Sequence, residues 1–181
     1  EVVSSPAMTS LAPGQQQLVR IIVMQPGVRA QEQSYRLVID ELPDATSRAA
    51  NPNAVHFLLR YSIPVFIAGN QDAPASHDAL SCEQAEMPAT LRCFNAGNRH
   101  IRLSHLEALT ADGQVVGSIK GLAGYVLPGQ TTLLPLKQAS RHALSTLRVY
   151  LNDDHHASQI PLRPLASRAP VLGTAHAVSP D

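Results

Sequence analysis

Asn53 to Ile67 reads NAVHFLLRYSIPVFI, and its two faces decide the fold. The odd-numbered residues Val55, Phe57, Leu59, Tyr61, Ile63 and Val65 form an apolar row, while the even ones are His56, Leu58, Arg60, Ser62, Pro64 and Phe66. Side chains alternate across a strand, so the stretch predicts a long β-strand with one apolar and one mixed face. A helix competes, because apolar runs are ambiguous by periodicity alone. Pro64 and the β-branched and aromatic residues weigh against it. Strands usually run to about five or six residues, so this one is expected to pass the edge of its own sheet.

Working towards the N-terminus, Ser34 to Leu42 alternates Tyr35, Leu37 and Ile39 against Arg36, Val38 and Asp40, and Pro43 ends it. Gln17 to Met24 is a further strand candidate with apolar residues on both faces. Glu1 to Leu11 is a weaker one, interrupted by Pro6, and Ala12-Pro13-Gly14 between them reads as a turn. Towards the C-terminus periodicity is lost from Ala68 to His77. The chain is therefore divided into residues 1–70, a linker at 71–78, a second domain at 79–165 and a tail at 166–181 expected to be disordered. Strands are expected at Ala79–Gln84, Ala89–Asn95, His100–Leu109, Val115–Ile119, Ala123–Leu127, Thr131–Leu136, Leu144–Tyr150 and Ser158–Leu162. Asn95-Ala96-Gly97-Asn98 and Asp112-Gly113 read as hairpin turns. Short strands at this spacing predict an immunoglobulin-like β-sandwich.

Composition agrees with an all-β protein: 44% of residues are apolar and 15% charged, with fourteen prolines and ten glycines. Fourteen basic and fourteen acidic residues cancel, which gives no reason to expect nucleic acid or an anionic membrane as partner. No apolar run approaches the roughly 18 residues of a membrane span. Cys82 and Cys93 lack the CxxC and paired-histidine spacing of a zinc site. They are read either as a disulfide closing a hairpin, which needs an oxidising compartment such as the periplasm, or as two buried thiols. Glu1 in place of Met leaves two readings, a processed mature protein or a fragment.

PGQQQLVRI (Pro13 to Ile21), SYRLVIDELP (Ser34 to Pro43), LLRYSIPVFI (Leu58 to Ile67) and NAGNRHIRLSHLEAL followed by GYVLPGQ together resemble the periplasmic pilus-assembly chaperones of the chaperone-usher pathway. The resemblance is closest to the non-classical branch that serves spore-coat-U-like pilins. It implies two immunoglobulin-like β-sandwich domains, the first incomplete at its N-terminus because residues 1–70 offer about four of seven strands. The fragment reading follows from the same resemblance.

The family's mechanism is strand donation: a pilus subunit lacks one strand, and the chaperone lends its own. Carried onto this sequence, the donor strand spans about residues 53–67, with Val55, Phe57, Leu59 and Tyr61 facing the subunit. The competing reading is that these side chains pack the chain's own core. Classical members also hold the subunit's terminal carboxylate with an Arg and a Lys. Here the position of that Lys corresponds to Ser62, so Arg36 is expected to serve, with Arg60 and Arg20 as reserves. The implied partners are pilus or fimbrial subunits and an outer-membrane usher. An enzyme is not expected, since no nucleophile elbow, phosphate loop, HExxH or dinucleotide fingerprint is present. No cofactor or metal is implied. Asp153-Asp154-His155-His156 is read as a polar hairpin tip. The alternative function is a β-sandwich adhesion or binding module that donates no strand.

Overall fold

The computed structural model describes residues 2–24, 27–43, 57–69, 77–85, 87, 89–137 and 143–163. It is an all-β molecule that divides into two units, Glu1–Ser76 with Gly97–His100, and His77–Ala96 with Ile101–Asp181. Among the described residues no helix is long and apolar enough to cross a membrane.

The first unit holds two antiparallel pairs, β1 (Val2–Ser5) with β2 (Arg20–Val23), and β3 (Gln33–Asp40) with β4 (Arg60–Ile67). The first pair is shorter than its sequence pattern predicts. Its last partners are Ser5 and Arg20, and Pro6 follows with no N–H to continue the ladder. Pro13 and Gly14 turn the chain, with Gln15 N–H donating to the Ala12 carbonyl at 3.0 Å and Gly14 at φ 81°, the left-handed conformation that a type II turn requires.

Among the described residues of this unit no apolar side chain is buried; the buried residue is Glu32. Its carboxylate accepts from the His100 backbone N–H at 2.9 Å and lies 2.7 Å from His100 Nδ1. Phe66 stacks on that imidazole with ring centroids 3.6 Å apart. A buried carboxylate is costly unless hydrogen-bonded, and these contacts meet that requirement. Gly69 is needed nearby, because a Cβ there would come within 3.0 Å of the Arg29 carbonyl oxygen.

The second unit is a sandwich with seven strands among its described residues. A 3-10 turn, His77–Ala79, leads into β5 (Leu80–Gln84) and β6 (Thr90–Asn95), followed by β7 (Ile101–Leu109), β8 (Val115–Val126), β9 (Thr131–Pro135), β10 (Thr146–Leu151) and β11 (Ser158–Pro161). One sheet runs β5-β6-β9 and the other β11-β10-β7-β8. Leu80, Cys82, Leu91, Cys93 and Leu134 of the first sheet enclose the core together with Ile101, Leu103, Leu106, Ala108, Val126, Leu147, Val149 and Leu151 of the second. Cys82 and Cys93 are directly opposed across β5 and β6, with Cα atoms 4.1 Å apart, and are disulfide-bonded.

The structure corrects two readings of this unit. Val115–Ile119 and Ala123–Leu127 are not separate strands but parts of one, β8. Gly121, in the gap between the two expected strands, is at φ 70° and belongs to a bulged stretch where the β7–β8 register shifts. The same irregularity explains the inner row of β7, which changes from Ile101 and Leu103 to Leu106 and Ala108. His105, at φ 48°, takes up the change of parity and stays exposed.

Asn95 to Asn98 is likewise not a hairpin, because β6 and β7 belong to different sheets. The Asn98 carbonyl accepts instead from Glu32 N–H at 2.9 Å. Asp112-Gly113 does turn a hairpin, closed by Thr110 N–H to the Gln114 carbonyl at 3.0 Å. Inside the sandwich, Asn95 is fully buried and its Nδ2 donates to the Val126 carbonyl at 2.9 Å, joining a strand of one sheet to a strand of the other.

Candidate functional site

β4 pairs with β3 from Ile67 opposite Gln33 to Arg60 opposite Asp40. One residue before β4, Leu59 accepts at its carbonyl from Glu41 N–H at 2.9 Å, and its own N–H donates to the Glu41 carboxylate at 3.1 Å. Leu59 thus turns both backbone groups towards β3. Along an antiparallel strand such residues alternate with ones that turn both groups the other way. Tyr61, Ile63 and Val65 therefore bond to β3, whereas Leu58, Arg60, Ser62 and Pro64 address the opposite edge. Among the described residues no strand pairs with that outer edge.

Among the described residues of the expected strand, 60–67 are laddered, and Phe57, Leu58 and Leu59 precede the strand without belonging to it. β3 ends at Asp40 and Pro43 follows closely, so the partner runs out. Phe57 is 83% exposed, Leu59 and Tyr61 each 55%, and Ile63 44%. Val55 lies outside the described residues. The apolar row is thus accessible at Phe57, Leu59 and Tyr61, where its own core could have covered it. Ile39, opposite Tyr61, extends the same exposed face, which sequence reasoning did not single out.

The three arginines differ in their surroundings. Arg60 makes a two-pronged pair with Asp40, at 2.5 Å from Nε and 2.9 Å from Nη2. Hydrogen bonding from Arg60 holds the Asp40 carboxyl below its ordinary value, and the same bond raises Arg60. Arg36 is exposed and its Nη1 donates to Ser62 Oγ at 3.1 Å, a neutral partner. Arg20 is exposed on β2, opposite Ser5. The Asp40 partner of Arg60 was hidden in the sequence because the length of the intervening loop does not set the register.

Because the folded pKa of Asp40 is depressed, the pair stabilises the strand end above the ordinary aspartate range and is lost as pH falls below about 4. Both groups are well exposed, so the effect is small. A carboxyl-detected NMR titration is expected to give Asp40 a midpoint below that of an ordinary aspartate, moving upward in Arg60→Ala. An unmoved midpoint counts against the pair in solution.

Elsewhere, Asp153 of the polar turn after β10 pairs with Arg102 at 2.9 Å, and Arg148 pairs with Glu107. His105 meets Tyr150 edge to face. Among the described residues no group of three or more His, Cys, Asp or Glu is placed to hold a metal ion.

Residues 1–71 match the family model described as pili and flagellar-assembly chaperone, PapD N-terminal domain. The chain is similar in structure to the YadV chaperone, with a TM-score of 0.64 at 15% identity over 89% of this chain and 78% of that one. It is also similar to the CsuC-CsuE chaperone-tip adhesion subunit pre-assembly complex from the archaic chaperone-usher Csu pili of Acinetobacter baumannii. There the TM-score is 0.60 at 22% identity, over 91% of this chain and 75% of that one. No curated protein matches the sequence. At these identities the structural likeness establishes the two-domain immunoglobulin-like fold. The match to the PapD N-terminal domain model covers residues 1–71, and both of these solved structures similar to the chain are of pilus-assembly chaperones or their complexes, a likeness that extends to the fold.

Proposed function

We propose that this chain captures pilus subunits in the periplasm by lending them its strand at about residues 53–67, and passes them to an outer-membrane usher. The observation that carries the reading is the outer edge of β4, unpaired among the described residues and led by the exposed side chains of Phe57, Leu59 and Tyr61. A sheet edge of this kind is a template for another chain, and natural folds protect such edges unless they are used. Val55, Phe57 and Leu59 would each contribute roughly 1.5 to 3 kcal/mol on full burial, about 5 to 9 kcal/mol before ordering costs. The Cys82–Cys93 disulfide fits an oxidising compartment.

Arg36 is assigned the subunit's terminal carboxylate. Its guanidinium on the neighbouring strand reaches Ser62, the position that corresponds to the lysine of classical members by the resemblance, which supports the assignment. Arg60 already serves Asp40. This substitution supports the non-classical branch of the family.

The test is co-expression with a pilus subunit and isolation of a one-to-one complex. A charge-assisted hydrogen bond contributes about 1.5 to 3 kcal/mol. Arg36→Glu is therefore expected to weaken capture by tenfold or more, and Arg60→Glu by clearly less. Equal losses, or a larger one at Arg60, would remove Arg36 from the role. Recovery of the subunit without the chaperone in complex would overturn the function itself.

A further inference from the structure

We propose that Pro64 is a register stop on the outer edge of β4, limiting strand addition to the segment that ends at Ser62. The inference rests on the strand-lending reading for its biological use, but its physical basis is in the free chain. The alternation set by the Leu59–Glu41 bonds puts the Pro64 nitrogen on the outer side of β4. Proline has no N–H, so nothing is lost to β3, and Pro64 sits opposite Arg36 in a pair that exchanges no backbone bonds. The cost falls wholly on a strand arriving from outside. Such a strand can use the backbone groups of Leu58, Arg60 and Ser62 but finds no donor at residue 64.

Two further observations fall at the same place. The β4 side chains are exposed up to Ile63 and half-buried from Pro64 to Ile67, so the accessible stretch ends where the donor row ends. The Arg36 guanidinium sits on Ser62, beside the stop. An incoming chain whose terminus lies at this point finds a cation there, and one continuing past it loses a backbone bond and meets half-covered side chains. Pro64 therefore selects for a strand that ends at Ser62. It also keeps the last part of β4 from pairing with other edges when no partner is bound.

Two measurements on the full chain test this. In the free chain, Pro64→Val restores one outward donor, and self-association measured by sedimentation velocity is expected to strengthen roughly five- to tenfold, the effect of about one backbone hydrogen bond. In the complex with the co-expressed pilus subunit used above, amide exchange is expected to slow at Arg60 and Ser62 in the wild type, and additionally at residue 64 in the variant. Unchanged self-association together with an unprotected residue 64 would overturn the proposal. If no complex forms but the variant self-associates more strongly, the strand-lending function fails and the stop stands.

Discussion

Phe57→Ser is expected to eliminate subunit capture while leaving the free chain as stable as before. The two effects separate because Phe57 is 83% exposed and lies outside the β3–β4 ladder, so the free protein has almost no packing there to lose. In a complex, the same ring would enter an apolar pocket. Removing its burial at about 2 to 3 kcal/mol weakens binding about 30- to 150-fold, enough to lose the complex during isolation. Phe57→Leu keeps most of the apolar area and is expected to keep most of the capture. The measurements are subunit recovery on affinity purification and the denaturation midpoint of the free variant. Full recovery of the subunit with serine at this position would take Phe57 out of the mechanism.

The second large effect is expected from Cys82→Ala with Cys93→Ala. Both sulfurs are buried, at 1% and 0% residue exposure, and their bond closes a short loop between adjacent strands of the sandwich. Closing a loop of this size stabilises by about 2 to 4 kcal/mol, chiefly by restricting the unfolded chain. In a domain of this size that corresponds to a fall of roughly 10 °C or more in Tm for the second unit. The strands that carry the cysteines also make the first sheet of the core, so no local unfolding spares it. Reductant is expected to act slowly on the folded protein and to give the same destabilised state once the bond opens. A Tm within a degree or two of the wild type would show that the core alone holds the hairpin.

The sequence showed the elements well where alternation was clean and poorly where the ladder was irregular. Strands close to β10 and β11 were expected, and so was the Asp112-Gly113 turn. Val115–Ile119 and Ala123–Leu127 look like two strands because sequence alone does not distinguish a bulge from a turn: both ask for a residue tolerant of positive φ, such as Gly121. Asn95 to Asn98 looked like a hairpin for a related reason. Turn residues show that the chain bends, but not which sheet receives it.

The candidate site was legible as composition and not as geometry. The apolar row, Arg36 and Arg60 were all apparent, but periodicity could not say whether Phe57 faced solvent or a core. That distinction depends on where β3 ends, at Asp40, and on the register that puts Arg60 opposite it. Register also separates the two arginines, since it gives Arg60 an acid and Arg36 a hydroxyl. Pro64 carried the most hidden information. In the sequence it only argued against a helix, whereas in the ladder its position on the outward side makes the strand asymmetric.

The Asn95 amide spanning the sandwich has a consequence for how the second unit keeps a single structure. Apolar side chains between two sheets can slip by a fraction of a residue at modest energy, because dispersion has no preferred direction. A buried amide lacks that freedom: displacing it from the Val126 carbonyl breaks a directional bond inside the sandwich. A directional contact of this kind opposes lateral slippage of two otherwise greasy layers.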